Sequence, residues 1–85
     1  MPITYSGPTD LLSFKVAMVE QIIERAGLMN DTFLVGVAGL PGSNEHEVMI
    51  VNLDRMRSRV YRLDVRWDDA FARDVATGIF AGERV

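Results

Sequence analysis

Apolar positions recur along this chain with two different periods, and the shorter one is clearest near the middle. Between Arg59 and Trp67 the alternation is nearly complete, with Tyr61, Leu63, Val65 and Trp67 on one side and Val60, Arg62, Asp64 and Arg66 on the other. A period of two marks a strand with one buried face. The run before it, from Glu47, is also rich in β-branched residues, so residues 47–67 predict a single β-hairpin with Asp54–Ser58 as its polar turn. Helices are expected to cover the Tyr61, Leu63, Val65 and Trp67 face, with Met49, Val51 and Leu53 beside it. Val48, Ile50, Asn52, Val60, Arg62, Asp64 and Arg66 are then left on the opposite, outer face.

The longer period appears from Thr9 or Asp10 to Ala26, where Leu11, Leu12, Val16, Met18, Val19, Ile22, Ile23 and Ala26 form one wide apolar arc of a helix. Thr9 is an N-cap candidate, and Gly27 is the stop, with Leu28 folding back onto Ile23 as in a Schellman end. Phe14 falls outside the arc, beside Gln21 and Arg25, either capped by the N-terminal residues or exposed as an anchor for a partner. Thr32–Leu40 reads as a strand with both faces apolar, in which Gly36 and Gly39 mark a bulge or a close backbone approach. Residues 40–46 are a surface loop. A second helix is expected from an N-cap at Asp68 to about Ala81, with Phe71, Ala72, Val75, Ala76 and Ile79 on its packing face and Phe80 pointing elsewhere. Residues 1–8 hold Ile3 and Tyr5 at strand spacing and end in turn chemistry, an N-terminal arm or short edge strand.

The order is therefore α-β-β-β-α, an α+β domain with a three-stranded antiparallel meander sheet and two helices packed on one face. This element order is similar to that of double-stranded RNA-binding domains. Trp67-Asp68-Asp69 stands where those domains carry the lysines that grip phosphate, so the similarity implies topology and not RNA binding.

Eighty-five residues make one small domain, 1–85, which buries only roughly 60–65% of its unfolded surface, so a partner subunit would help it. With no cysteine there are no disulfides, thiolate metal sites or cysteine nucleophiles. No apolar run approaches a membrane span and the N-terminus lacks a signal-peptide layout, so the expectation is a soluble, cytoplasmic chain without a membrane partner. The net charge of −3 is uneven: residues 1–54 carry two basic and seven acidic side chains, residues 55–85 seven and five. The bases of the second part are all arginine, whose planar fork suits bidentate pairing and dry interfaces.

Candidate chemistry is sparse. His46 is the only histidine and reads as a solvated loop residue; Asp68, Asp69 and Asp74 do not share a helix face; no phosphate loop is present. No enzyme, cofactor or metal is expected. Arg55, Arg57 and Arg59, spaced by two at the hairpin turn, project toward an acidic partner or simply solubilise the turn. The sequence thus favours a small non-catalytic protein-protein interaction module, an adaptor or inhibitor. Its expected contacts are Val48, Ile50, Val60, Arg62 and Arg66 of the outer face, the arginine turn, and Phe14, with part of that surface spent on a homodimer. The alternatives are nucleic-acid binding through the Arg55–Arg66 cluster, disfavoured by net charge, and an acidic phage-type inhibitor, anti-CRISPR-like, that imitates nucleic acid.

Overall fold

The structure, a computed structural model, describes residues 3–7, 16–63 and 66–82. The elements in chain order are β1 (Ile3–Ser6), α1 (Val16–Arg25), β2 (Phe33–Gly39), β3 (His46–Asn52), β4 (Arg57–Arg62) and α2 (Trp67–Ala76). The strands form one sheet in the order β1-β2-β3-β4. β1 runs parallel to β2, while β2, β3 and β4 form the expected antiparallel meander. The α+β class holds, but the sheet is four-stranded and mixed, not a three-stranded antiparallel one. The N-terminal residues supply the extra strand, so the order is β-α-β-β-β-α and the similarity to double-stranded RNA-binding domains ends there.

The core lies between the two helices and one sheet face. Val19 and Ile23 of α1 and Trp67, Phe71 and Val75 of α2 cover Phe33, Val35 and Val37 of β2, Val48 and Ile50 of β3, and Tyr61 of β4. Ile3 and Tyr5 pack on its margin. Phe71 is the hub of the aromatic part, with ring centroids 6.3 Å from Trp67, 6.0 Å from Tyr61 and 5.6 Å from Phe80. Among the described residues no helix is long and apolar enough to cross a membrane.

Both helices end in the same way, and local chemistry explains it. At α1, Leu28 N–H donates to Ile23 O (3.1 Å) and Gly27 N–H to Glu24 O (3.0 Å), with Gly27 at φ 73°. This is the expected Schellman end, closed by buried Leu28. At α2, Ile79 N–H donates to Asp74 O and Gly78 N–H to Val75 O, with Gly78 at φ 86°. The second motif stops α2 at Ala76, five residues short of the expected end, and the chain then turns back. Phe80, expected to point elsewhere, is therefore fully buried. At its other end α2 begins at Trp67, not after an Asp68 cap; Arg66 holds the N-cap position without a side-chain bond. Asp68 and Asp69 instead lie in the first turn, where the helix dipole favours them. The expected first turns of α1, with Thr9 and Phe14, lie outside the described residues, as do Asp64 and Val65.

The facing of β3 is the principal correction. Val48, Ile50 and Asn52 point into the core, while Met49 is 40% and Leu53 45% exposed. A turn over Asp54–Ser58 would have set Tyr61 beside Val51. The observed turn is Leu53–Met56, one residue shorter, and it sets Tyr61 opposite Val48. A change of one residue in loop length exchanges the faces of a strand. Met56, at φ 51°, supplies the left-handed residue that closes the tight turn. The β2–β3 ladder runs unbroken from Phe33↔Asn52 to Gly39↔His46, so neither Gly36 nor Gly39 forms a bulge, and His46 belongs to the strand rather than the loop.

Candidate interaction surface

The turn is held by a polar cluster beneath it. Asn52, fully buried, donates through Nδ2 to Asp31 Oδ2 and to Phe80 O, each at 3.0 Å. Its Oδ1 accepts from the N–H groups of Asp54 (3.1 Å) and Arg55 (3.3 Å), two and three residues on, the geometry of an Asx turn. Arg55 reaches back with Nε to Asp31 Oδ2 and with Nη1 to Gly82 O (2.7 Å). Asp54 Oδ2 accepts from Thr32 N–H at 2.6 Å, and Leu53 N–H donates to Thr32 O. The start of β2, the hairpin turn and the segment after α2 are thereby tied at one point. Asp31 is only 2% exposed, so Arg55 acts as the counter-charge of a buried carboxylate.

That assignment removes Arg55 from the expected contact set, and the other arginines separate as well. Arg57 and Arg59 follow the parity of Tyr61 and lie on the helix side of β4, where they line an open cleft of about 540 Å³ with Thr77, Gly78 and Ile79. The Arg57 guanidinium lies against Gly82. Arg59 Nε is 3.4 Å from Asp74 Oδ2, which also accepts the Tyr61 hydroxyl at 2.7 Å. Burial, then the Asp74 carboxylate, push the Tyr61 hydroxyl well above the ordinary tyrosine range, with Arg59 pulling weakly the other way. Arg62 lies on the opposite, outer side, 3.1 Å from Glu45 with both side chains mostly exposed, a pair of little energetic weight. Arg66, exposed, lies at the start of α2. The expected arginine patch is thus spread over two faces and a turn.

Of the apolar contacts expected from sequence, Val60 is on the outer face and 55% exposed, while Val48 and Ile50 are core residues at 2% and 0%. The outer face is built instead from Leu34, Gly36 and Ala38 of β2, Met49 and Val51 of β3, and Val60 of β4. Met49 faces Gly36 on one side and Val60 on the other. A Cβ added at Gly36 meets nothing within 4 Å, so Met49 borders a shallow depression with Ser6, Ala38 and Glu47 along it. Leu53 and Met56, 45% and 67% exposed, extend the apolar character to the turn. Sequence reasoning missed Met49, Val51 and Leu53 because Val48-Met49-Ile50-Val51 is apolar at both parities.

Fold and surface define a small mixed-sheet α+β domain with one sheet face packed under two helices and with Met49 and Val60 exposed on the other. Among the described residues no three histidine, aspartate or glutamate side chains converge as a metal site would require. Compared with known proteins, the chain matches no family model, no curated protein sequence and no solved structure.

Proposed function

We propose that this protein is a non-catalytic protein-protein interaction module that binds its partner through the outer sheet face. The observation that carries the reading is the cross-strand pair of Met49 and Val60, 40% and 55% exposed, with Leu34, Val51, Gly36 and Ala38 as the other apolar positions of the face and Thr4 and Ser6 of β1 along its far edge. A sheet face this apolar, rimmed by Arg62, Glu47 and Ser58, has the layout of an interface core within a polar border. Its partner presents an apolar patch of its own, into which Met49, a flexible and polarisable side chain, can adapt.

The nucleic-acid alternative draws no support from the arginines, which point to different faces, Arg55 being spent on Asp31. The acidic mimic loses two of its carboxylates, Asp31 and Asp54, to the polar cluster around Asn52 that clamps the hairpin turn. The test is paired capture from an extract of the source cells with wild type and the double substitution Met49→Lys, Leu53→Lys, which changes two exposed residues and leaves the core alone. Proteins retained by the wild type and lost by the double variant, at equal melting temperature, are the expected result. Identical sets from both would overturn the reading.

A further inference from the structure

Strand β4 stands last in the strand order of the sheet. In its ladder with β3, Leu63 N–H donates to His46 O at 2.9 Å in register with Tyr61↔Val48. Arg57, Arg59 and Tyr61 are therefore the residues that exchange bonds with β3, and Ser58, Val60 and Arg62 turn their N–H and C=O groups to the far side. Among the described residues no strand occupies that side. Five of the six β4 residues are exposed, Tyr61 being the exception.

We propose that β4 pairs antiparallel with β4 of a second copy, about a two-fold axis at Val60, joining two sheets into one of eight strands. This inference is independent of the outer-face reading and differs from a dimer made by stacking outer faces. Charge selects both the occupant and the register. With Val60 opposite Val60, Arg62 meets Ser58 of the second copy and Arg59 meets Tyr61 of the second copy. That last pair is a close, non-hydrogen-bonded one, and it brings Arg59 over the other copy's Asp74. Asp74 is equipped for this: Oδ2 takes both the Tyr61 and Arg59 contacts, and among the described residues nothing donates to Oδ1. Moving the axis by one residue toward the turn sets Arg59 against Arg59, a like-charge pair. Moving it the other way shortens the ladder to three residues. Arginine on an edge commonly discourages pairing. Here each of the two arginines inside the ladder already lies beside a carboxylate, Arg59 beside Asp74 and Arg62 beside Glu45, which offsets their mutual repulsion.

The test combines mass and cross-linking. Light scattering on wild type at rising concentration should reach twice the 9.5 kDa chain mass. Val60→Pro removes an N–H that takes no part in the β3–β4 ladder, and an edge strand tolerates proline at such a position. It should hold the mass at one chain with unchanged circular dichroism, a dissociation constant raised at least ~100-fold. Because the chain has no cysteine, single cysteines report the register. Hydrogen-bonded antiparallel pairs have Cα atoms about 5.5 Å apart, within disulfide reach. Val60→Cys should cross-link to itself on mild oxidation, and Ser58→Cys should cross-link to Arg62→Cys when the two are mixed but neither to itself. Met49→Lys with Leu53→Lys should leave the doubled mass intact. One chain mass for the wild type at every concentration overturns the proposal. So does a doubled mass retained by Val60→Pro or lost by the Met49, Leu53 variant. Where Val60→Pro fails to fold, the cysteine pattern decides, and its absence counts against the pairing.

Discussion

Replacing Asn52 by alanine removes the centre of the clamp and should cost more than any surface change in the molecule. Its amide makes four hydrogen bonds, to Asp31 Oδ2, Phe80 O and the N–H groups of Asp54 and Arg55. A neutral bond contributes about 1 kcal/mol net, and one to a charged group about 1.5–3 kcal/mol. The two turn N–H groups are partly accessible and recover water, whereas Asp31 and Phe80 O, beside a fully buried residue, recover little. The expected loss is therefore about 3–4 kcal/mol, a large share of the roughly 4–13 kcal/mol available to a domain of this length. It corresponds to a fall in Tm of about 12–30 °C. Urea unfolding followed by fluorescence of Trp67, the only tryptophan and 2% exposed, measures it directly. Thr77→Ala, which deletes one exposed bond to Asp74 O, is the control and should change stability by less than about 0.5 kcal/mol. A loss below about 1 kcal/mol for Asn52→Ala would refute the claim that the clamp holds the turn.

Three further outcomes follow from the same geometry. Arg55→Met should destabilise by about 3 kcal/mol because it removes the counter-charge of the buried Asp31 carboxylate, while Arg57→Met, on the open cleft, should be close to neutral; equal effects in thermal melts would contradict the division between them. Gly7→Ala should weaken β1, since a Cβ there lies 2.5 Å from Val37 O at a φ of +124°; faster amide exchange confined to residues 3–6 and their β2 partners is the expected readout, and unchanged exchange would argue against it. Both tyrosines should resist ionisation, Tyr5 pushed up to about 12 by burial and then by Glu20, and Tyr61 raised by burial and Asp74. The folded state holds these protons more tightly than the unfolded chain. Their stabilisation is therefore complete below about pH 10 and lost as pH rises toward 12 and beyond, and a phenolate absorbance already rising at pH 10 in the native protein would contradict it.

What could be read from the sequence was whatever local chemistry decides. The stop of α1 at Gly27 and the return of Leu28 to Ile23 are settled within six residues, and both were legible. So were the hairpin and the inward side of Tyr61, because the alternation around it is clear, although β4 ends at Arg62 and Trp67, expected on the same strand, opens α2. β3 did not alternate, and its facing depended on whether the turn held four residues or five. That choice is made by Asn52 bonding to Asp31 and Phe80, neighbours 21 and 28 positions away. β1 is only four residues long, and its parallel partner lies beyond α1, so its pairing is equally non-local. The arginines looked like one patch because spacing by two aligns them on a strand. In the fold Arg55 falls inside the turn and Arg62 has the opposite parity, which leaves only Arg57 and Arg59 together.

Which residues of β3 face outward fixes both the core and the proposed binding face. A cysteine scan across positions 48 to 51, with each single variant labelled by a thiol reagent under native conditions, tests it most directly. Met49→Cys and Val51→Cys should react readily, while Val48→Cys and Ile50→Cys should be protected until the protein unfolds. The reverse alternation would return the hairpin to a five-residue turn, put Val48 and Ile50 on the surface, and contradict the interface described above.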